Sequence, residues 1–95
     1  MTGTREQDNP PAIRHEIQIL DLDAGRLMVA ENQVKAAVRK ANLRARVSMM
    51  ADNLAITREG LLDSVPVIKI NGRIVSRKAP VTPELLTALF SRLLS

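Results

Sequence analysis

Asn71-Gly72 stands between two β-branched runs, Val65-Pro66-Val67-Ile68-Lys69-Ile70 and Arg73-Ile74-Val75-Ser76. A two-residue link between strands needs positive φ at both central positions of a type I′ turn, and Asn-Gly meets that need at the lowest cost. The two runs are therefore expected to form an antiparallel hairpin. Pro66 falls where the first strand begins, so its missing N–H removes no ladder bond. An X–Pro bond is also the one peptide bond for which the cis form is cheap. The rest of the chain must supply what this hairpin lacks: more strands and a cover for its apolar faces.

Residues 1–12 are polar and end in Pro10-Pro11; they are expected to be a flexible lead to a single domain spanning residues 13–95. A first strand is expected over 13–20, with Ile13, His15, Ile17 and Ile19 on one face and Arg14, Glu16, Gln18 and Leu20 on the other. Asp23 fits an N-cap, and a helix over 24–41 carries its buried stripe on Leu27, Ala30, Val34, Ala37, Val38 and Ala41. Glu31 and Lys35 form a favourable i,i+4 pair on its polar face, and Asn42 stops it. A second strand over 43–50 places Ala45, Val47 and Met49 on one face and arginines on the other, as suits an edge strand. Asp52 or Asn53 caps a short helix over 54–59, which Gly60 ends. Thr82-Pro83-Glu84 opens a last helix striped by Leu86, Leu89, Phe90 and Leu93.

The order is β-α-β-α-β-β-α. A strand-helix-strand unit is parallel with a right-handed crossover, while the hairpin is antiparallel. The fold class is thus α/β, a four-stranded mixed sheet with helices on both faces.

Composition removes several function classes. There is no cysteine, so disulfides, thiol catalysis and cysteine-held metals are excluded. No apolar run is long enough for a membrane span, and no signal-type leader is visible, so the expected location is cytoplasmic. The net charge of +4 is unevenly spread: no acid lies between Glu31 and Asp52, while Lys35, Arg39, Lys40, Arg44 and Arg46 do. That stretch is the alternative functional surface, a patch for an anion or nucleic acid. Base-stacking platforms need aromatic side chains, however, and Phe90 is the chain's one aromatic residue, which argues against nucleic acid.

The chain resembles the small thioredoxin-like redox proteins. The likeness rests on Ile17-Gln18-Ile19-Leu20 as their first strand and on Ser64-Val65-Pro66-Val67-Ile68-Lys69-Ile70-Asn71-Gly72 as their cis-proline strand and turn. It implies a thioredoxin-like fold over roughly residues 13–94. In that family two cysteines stand at the start of the first helix; by spacing those positions fall on Ala24 and Leu27. A glycine usually follows the last strand, and Lys78 holds that place. The resemblance therefore implies the fold without its redox site.

Other constellations are weak. Asp21 and Asp23, with His15 and Glu16 upstream, offer the groups of a metal or acid–base site, but His15 and Glu16 point to opposite strand faces and Asp23 has a capping role. Ser64 and Ser76 lack an adjacent base. No metal, cofactor or catalytic constellation is expected, and the chain is not expected to be an enzyme. The expected function is that of a redox-inactive thioredoxin-like module that binds another protein, or a second copy of itself, in a regulatory, assembly or chaperone-like role. The expected contact residues are Ala24, Gly25, Arg26, Leu27, Val65, Pro66 and Lys78.

Overall fold

The computed structural model describes residues 15–94, without the side chain of Leu94. Seven elements follow one another: β1 (His15–Leu20), α1 (Ala24–Lys40), β2 (Ala45–Met50), α2 (Asn53–Arg58), β3 (Val67–Ile70), β4 (Arg73–Arg77) and α3 (Pro83–Leu94). The strands form one sheet in the order β2-β1-β3-β4. β1 pairs parallel with β2, from His15↔Ala45 to Leu20↔Met50. It pairs antiparallel with β3, from Ile17↔Ile70 to Leu20↔Val67. β3 and β4 are antiparallel, with a register shift at Ile68/Lys69. Positions 13 and 14 of the expected first strand lie outside the described residues.

The hairpin turn takes the backbone that its sequence requires: φ is 53° at Asn71 and 83° at Gly72. Asn71 also ties the turn to β1. Its N–H donates to the Glu16 carbonyl at 2.8 Å, and its side-chain oxygen accepts from the Glu16 N–H at 2.9 Å.

β2 begins two residues later than the pattern predicts. Asn42 is left-handed (φ 55°), and the Leu43 N–H is spent on the Val38 carbonyl at 3.0 Å, closing the end of α1. Pairing with β1 therefore starts only beyond Leu43. The helix caps follow the side chains. Asp23 accepts from the Arg26 N–H at 2.8 Å, Asp52 from the Leu54 N–H at 2.9 Å, and Thr82 from the Leu85 N–H at 3.2 Å. Asp52 is thus the cap of α2, and Asn53 is its first helical residue. Gly60, at φ 72°, ends that segment. Glu31 and Lys35 form the i,i+4 ion pair at 2.8 Å.

The two faces of the sheet are covered unequally. On one face Ile17, Ile19, Ile68 and Ile70 pack with Leu27, Ala30 and Val34 of α1 and with Leu86, Leu89 and Phe90 of α3. On the other, Leu20 and Val67 pack with Ile56 of α2 and Leu61. Each such aliphatic side chain contributes about 1.5–3 kcal/mol by leaving water. No helix among the described residues is long and apolar enough to cross a membrane.

Candidate protein-binding site

Strand register brings three segments to one end of the sheet. Leu20 pairs with Val67, and Val67 pairs with Arg77. The residues just past those pairs, from Asp21 onward, back from Pro66 to Val65, and at Lys78, therefore emerge side by side. All seven residues expected to make the contact surface lie on these segments.

The first segment is closed upon itself. Asp21 continues β1, its N–H donating to the Met50 carbonyl at 3.1 Å, and it is fully buried. A buried carboxylate is costly unless paired. Arg26 pairs it in bidentate fashion, donating from Nε at 2.5 Å and from Nη2 at 2.7 Å. The Asp23 N–H adds a third bond at 3.2 Å. Burial pushes the Asp21 carboxyl up, but the Arg26 hydrogen bond, the Asp23 and Leu22 N–H groups and the Arg26 charge together outweigh it. The carboxyl lies below its ordinary value of 3.8. The Arg26 guanidinium is pushed up in turn, first by its hydrogen bond to Asp21 and then by that charge. Arg26 remains half-exposed, and Ala24 and Gly25 are exposed beside it.

The second and third segments are held to each other by one group. The Lys78 N–H donates to the carbonyls of Ser64 at 2.8 Å and of Pro66 at 3.0 Å, one on each side of Val65. The Val65–Pro66 peptide is cis. The N–H and C=O of Val65 itself have no partner among the described residues. Lys78 is exposed and sits at φ 62°, in the left-handed region that favours glycine.

Two expected contact residues are not surface groups. Leu27 is 6% exposed and belongs to the core under α1, and Pro66 is buried. They shape the surface from below, and the groups that face solvent are Ala24, Gly25, Arg26 and Lys78, with Val65 half-buried. The helical period explains Leu27: with Ala30 and Val34 it forms the inward stripe of α1.

The alternative basic residues lie elsewhere. Lys35, Arg39 and Lys40 are on α1, and Arg44 and Arg46 stand at the start of β2, the opposite end of the sheet from Asp21 and Val65. Two of the five are already paired, Lys35 with Glu31 and Arg46 with Glu16 at 3.4 Å. His15 also sits at that end, its Nδ1 3.1 Å from Asn71 Nδ2. A six-residue strand is about 20 Å long, so His15 and Asp21, at its two ends, do not form one site.

The buried Asp21–Arg26 pair was not foreseen from sequence. One signal pointed to it: a base in the first turn of a helix opposes the helix dipole, so Arg26 called for an acid nearby.

No family model and no curated protein matches the chain. Among solved structures, the chain is similar to the germline-specific thioredoxin Deadhead from Drosophila melanogaster. The match has 20% identity and a TM-score of 0.56, and covers 84% of this chain and 81% of that one. The fold is thioredoxin-like. With no cysteine, this thioredoxin-like domain holds no thiol for disulfide exchange. What remains at the end of the sheet is an anchored turn on one side and, on the other, a stretch of backbone at Val65 without a partner among the described residues.

Proposed function

We propose that this redox-inactive thioredoxin-like protein works as a protein-binding module, taking an extended segment of a partner along Val65. The observation that carries this reading is the free backbone of Val65, held open because the Lys78 N–H engages the carbonyls on either side of it. An extended peptide that pairs with an exposed backbone stretch gains main-chain hydrogen bonds without needing any reactive group. Lys78 adds positive charge beside the groove, while the Arg26 charge is answered by Asp21, so partner segments with an acidic side chain near Lys78 are favoured. The role served is regulatory, assembly or chaperone-like, and a cytoplasmic setting suits a chain without cysteines.

The test is an NMR titration of the isotope-labelled protein with extended peptides selected from a random display library. Amide shifts are expected at Gly25, Val65 and Lys78. Pro66→Ala, and separately Lys78→Glu, should weaken binding by about tenfold or more. No selected peptide, or peptides whose shifts map away from these residues, overturns the reading.

A further inference from the structure

Among the described residues the edges of the sheet are β2 and β4, and they are charged differently. On β2, Arg46 is paired with Glu16 of the neighbouring strand. On β4, residues 64–83 contain Lys69, Arg73, Arg77 and Lys78 and no acid at all. Lys69 is taken by Glu59. Arg73, Arg77 and Lys78 have no ion pair among the described residues.

The register shift at Ile68/Lys69 leaves Val75 without a partner on β3, because Ile68 pairs with Ser76 and Lys69 with Ile74. The alternation of faces changes there. Arg73 pairs with Ile70, on the α3 side, while Arg77 pairs with Val67, on the α2 side. Val75 is 37% exposed and opens onto a cleft of about 560 Å³ between the hairpin and α3, floored by Ile70, Leu89 and Leu93. The edge thus presents a positive charge toward each face, and on the α3 side Arg73 stands at the rim of a cleft with an apolar floor.

Arginines and a bulge on a short edge strand are the ordinary guard against strand addition. The guard is selective. A second copy of β4 brought edge to edge would set arginines against arginines, whereas an acidic strand would be attracted. We propose that β4 is a docking edge for an extended acidic segment of a partner protein. That segment adds as a fifth strand, sets carboxylates against Arg73 and Arg77 on opposite faces, and places an apolar side chain in the cleft beside Val75. This surface is separate from the groove at Val65.

The test uses a fluorescently labelled peptide Glu-Glu-Val-Ile-Val-Glu-Glu with the whole chain at low salt, read by anisotropy. Two controls accompany it: the same peptide with lysines for glutamates, and one with alternate backbone amides N-methylated. The acidic peptide is expected to bind saturably and to slow hydrogen exchange along β4. Affinity should fall by about tenfold or more for the lysine peptide, for the methylated peptide and for the variant Arg73→Glu with Arg77→Glu. The slowed exchange should map to residues 73–77 and not to Gly25 or Val65. Absence of binding overturns the proposal. Equal binding of the methylated peptide overturns it too, since charge alone would then suffice. So does slowed exchange at Gly25 and Val65 with an affinity that the arginine changes leave intact, which would place the peptide in the groove.

Discussion

The turn after β1 and the entry to β3 stand side by side at one end of the sheet, yet they are finished in opposite ways. In the turn, the two carboxylates are satisfied from within: Asp21 by Arg26 and the Asp23 N–H, and Asp23 by the Arg26 N–H. At the entry, Lys78 secures the carbonyls of Ser64 and Pro66 and leaves Val65 between them unanswered. Paired carboxylates offer a partner little, whereas backbone groups without a bond among the described residues can accept one. On the proposed reading, recognition therefore falls on the Val65 side and stability on the Asp21 side.

Changes on the Asp21 side should therefore act on stability first, and the largest effect is expected at Leu27. As a core residue of α1 it should cost about 3 kcal/mol when changed to alanine, through lost burial and an unfilled cavity. Chemical denaturation reads this directly. If Leu27→Ala left stability intact and weakened peptide binding instead, Leu27 would be a contact residue after all and the division between the two segments would fail.

Asp21→Asn should come next. The bidentate ion pair is lost, but the partner left behind is a half-exposed arginine that water can solvate, so a cost of about 1–2 kcal/mol at neutral pH is expected. Because the folded carboxyl lies below its ordinary value of 3.8, ionised Asp21 contributes stability above that value. The contribution is lost as pH falls through the lower, folded value. The gap between wild type and Asp21→Asn should accordingly be full at neutral pH and close below about pH 4. Arg26→Ala leaves the opposite fault, a buried carboxylate without its cation. With both Arg26 contributions gone the carboxyl lies higher than in wild type, so that variant should lose less stability than wild type as pH falls. Denaturant midpoints across this pH range read both differences; acid limbs parallel to that of wild type in both variants would show that the pair does not anchor the turn.

Most of the fold was legible because each element was signalled twice, by a period and by an end marker. Asn71-Gly72 marked the hairpin, Asp23 and Thr82 marked helix starts, and the stripe on Leu27, Ala30 and Val34 marked the inward side of α1. The start of β2 was not legible, since it depends on whether the Leu43 N–H returns to Val38 or goes to a strand, and local propensity does not decide that. The segments of the candidate site could be located from the sequence, but not which of their side chains face out. Spacing placed Ala24 and Leu27 at the end of the sheet, but adjacency along a helix start does not say which side chain faces out; the period that already assigned Leu27 to the core was the better guide. Asp21 was harder still. A carboxylate beside a turn reads as solvated, and only the packing of β1 against its neighbours, with Arg26 folded back over it, makes it a buried anchor.

The smallest effect is expected at Lys78, and it bears on the Val65 side alone. A lysine at φ 62° is held against its backbone preference, at a cost of about 1 kcal/mol. Glycine would remove that strain and keep the N–H that engages Ser64 and Pro66, while gaining freedom in the unfolded chain. Lys78→Gly should therefore stabilise the protein by about 0.5 kcal/mol or be neutral, in contrast to every change proposed on the Asp21 side. Its effect on binding separates the two parts of Lys78. If the backbone alone holds the groove open, peptides without acidic residues should bind Lys78→Gly as well as wild type, while acidic ones lose the lysine charge and bind more weakly. Thermal melts paired with peptide titrations read both. A destabilised Lys78→Gly would mean that the lysine side chain, not only its N–H, holds the entry to β3 in place.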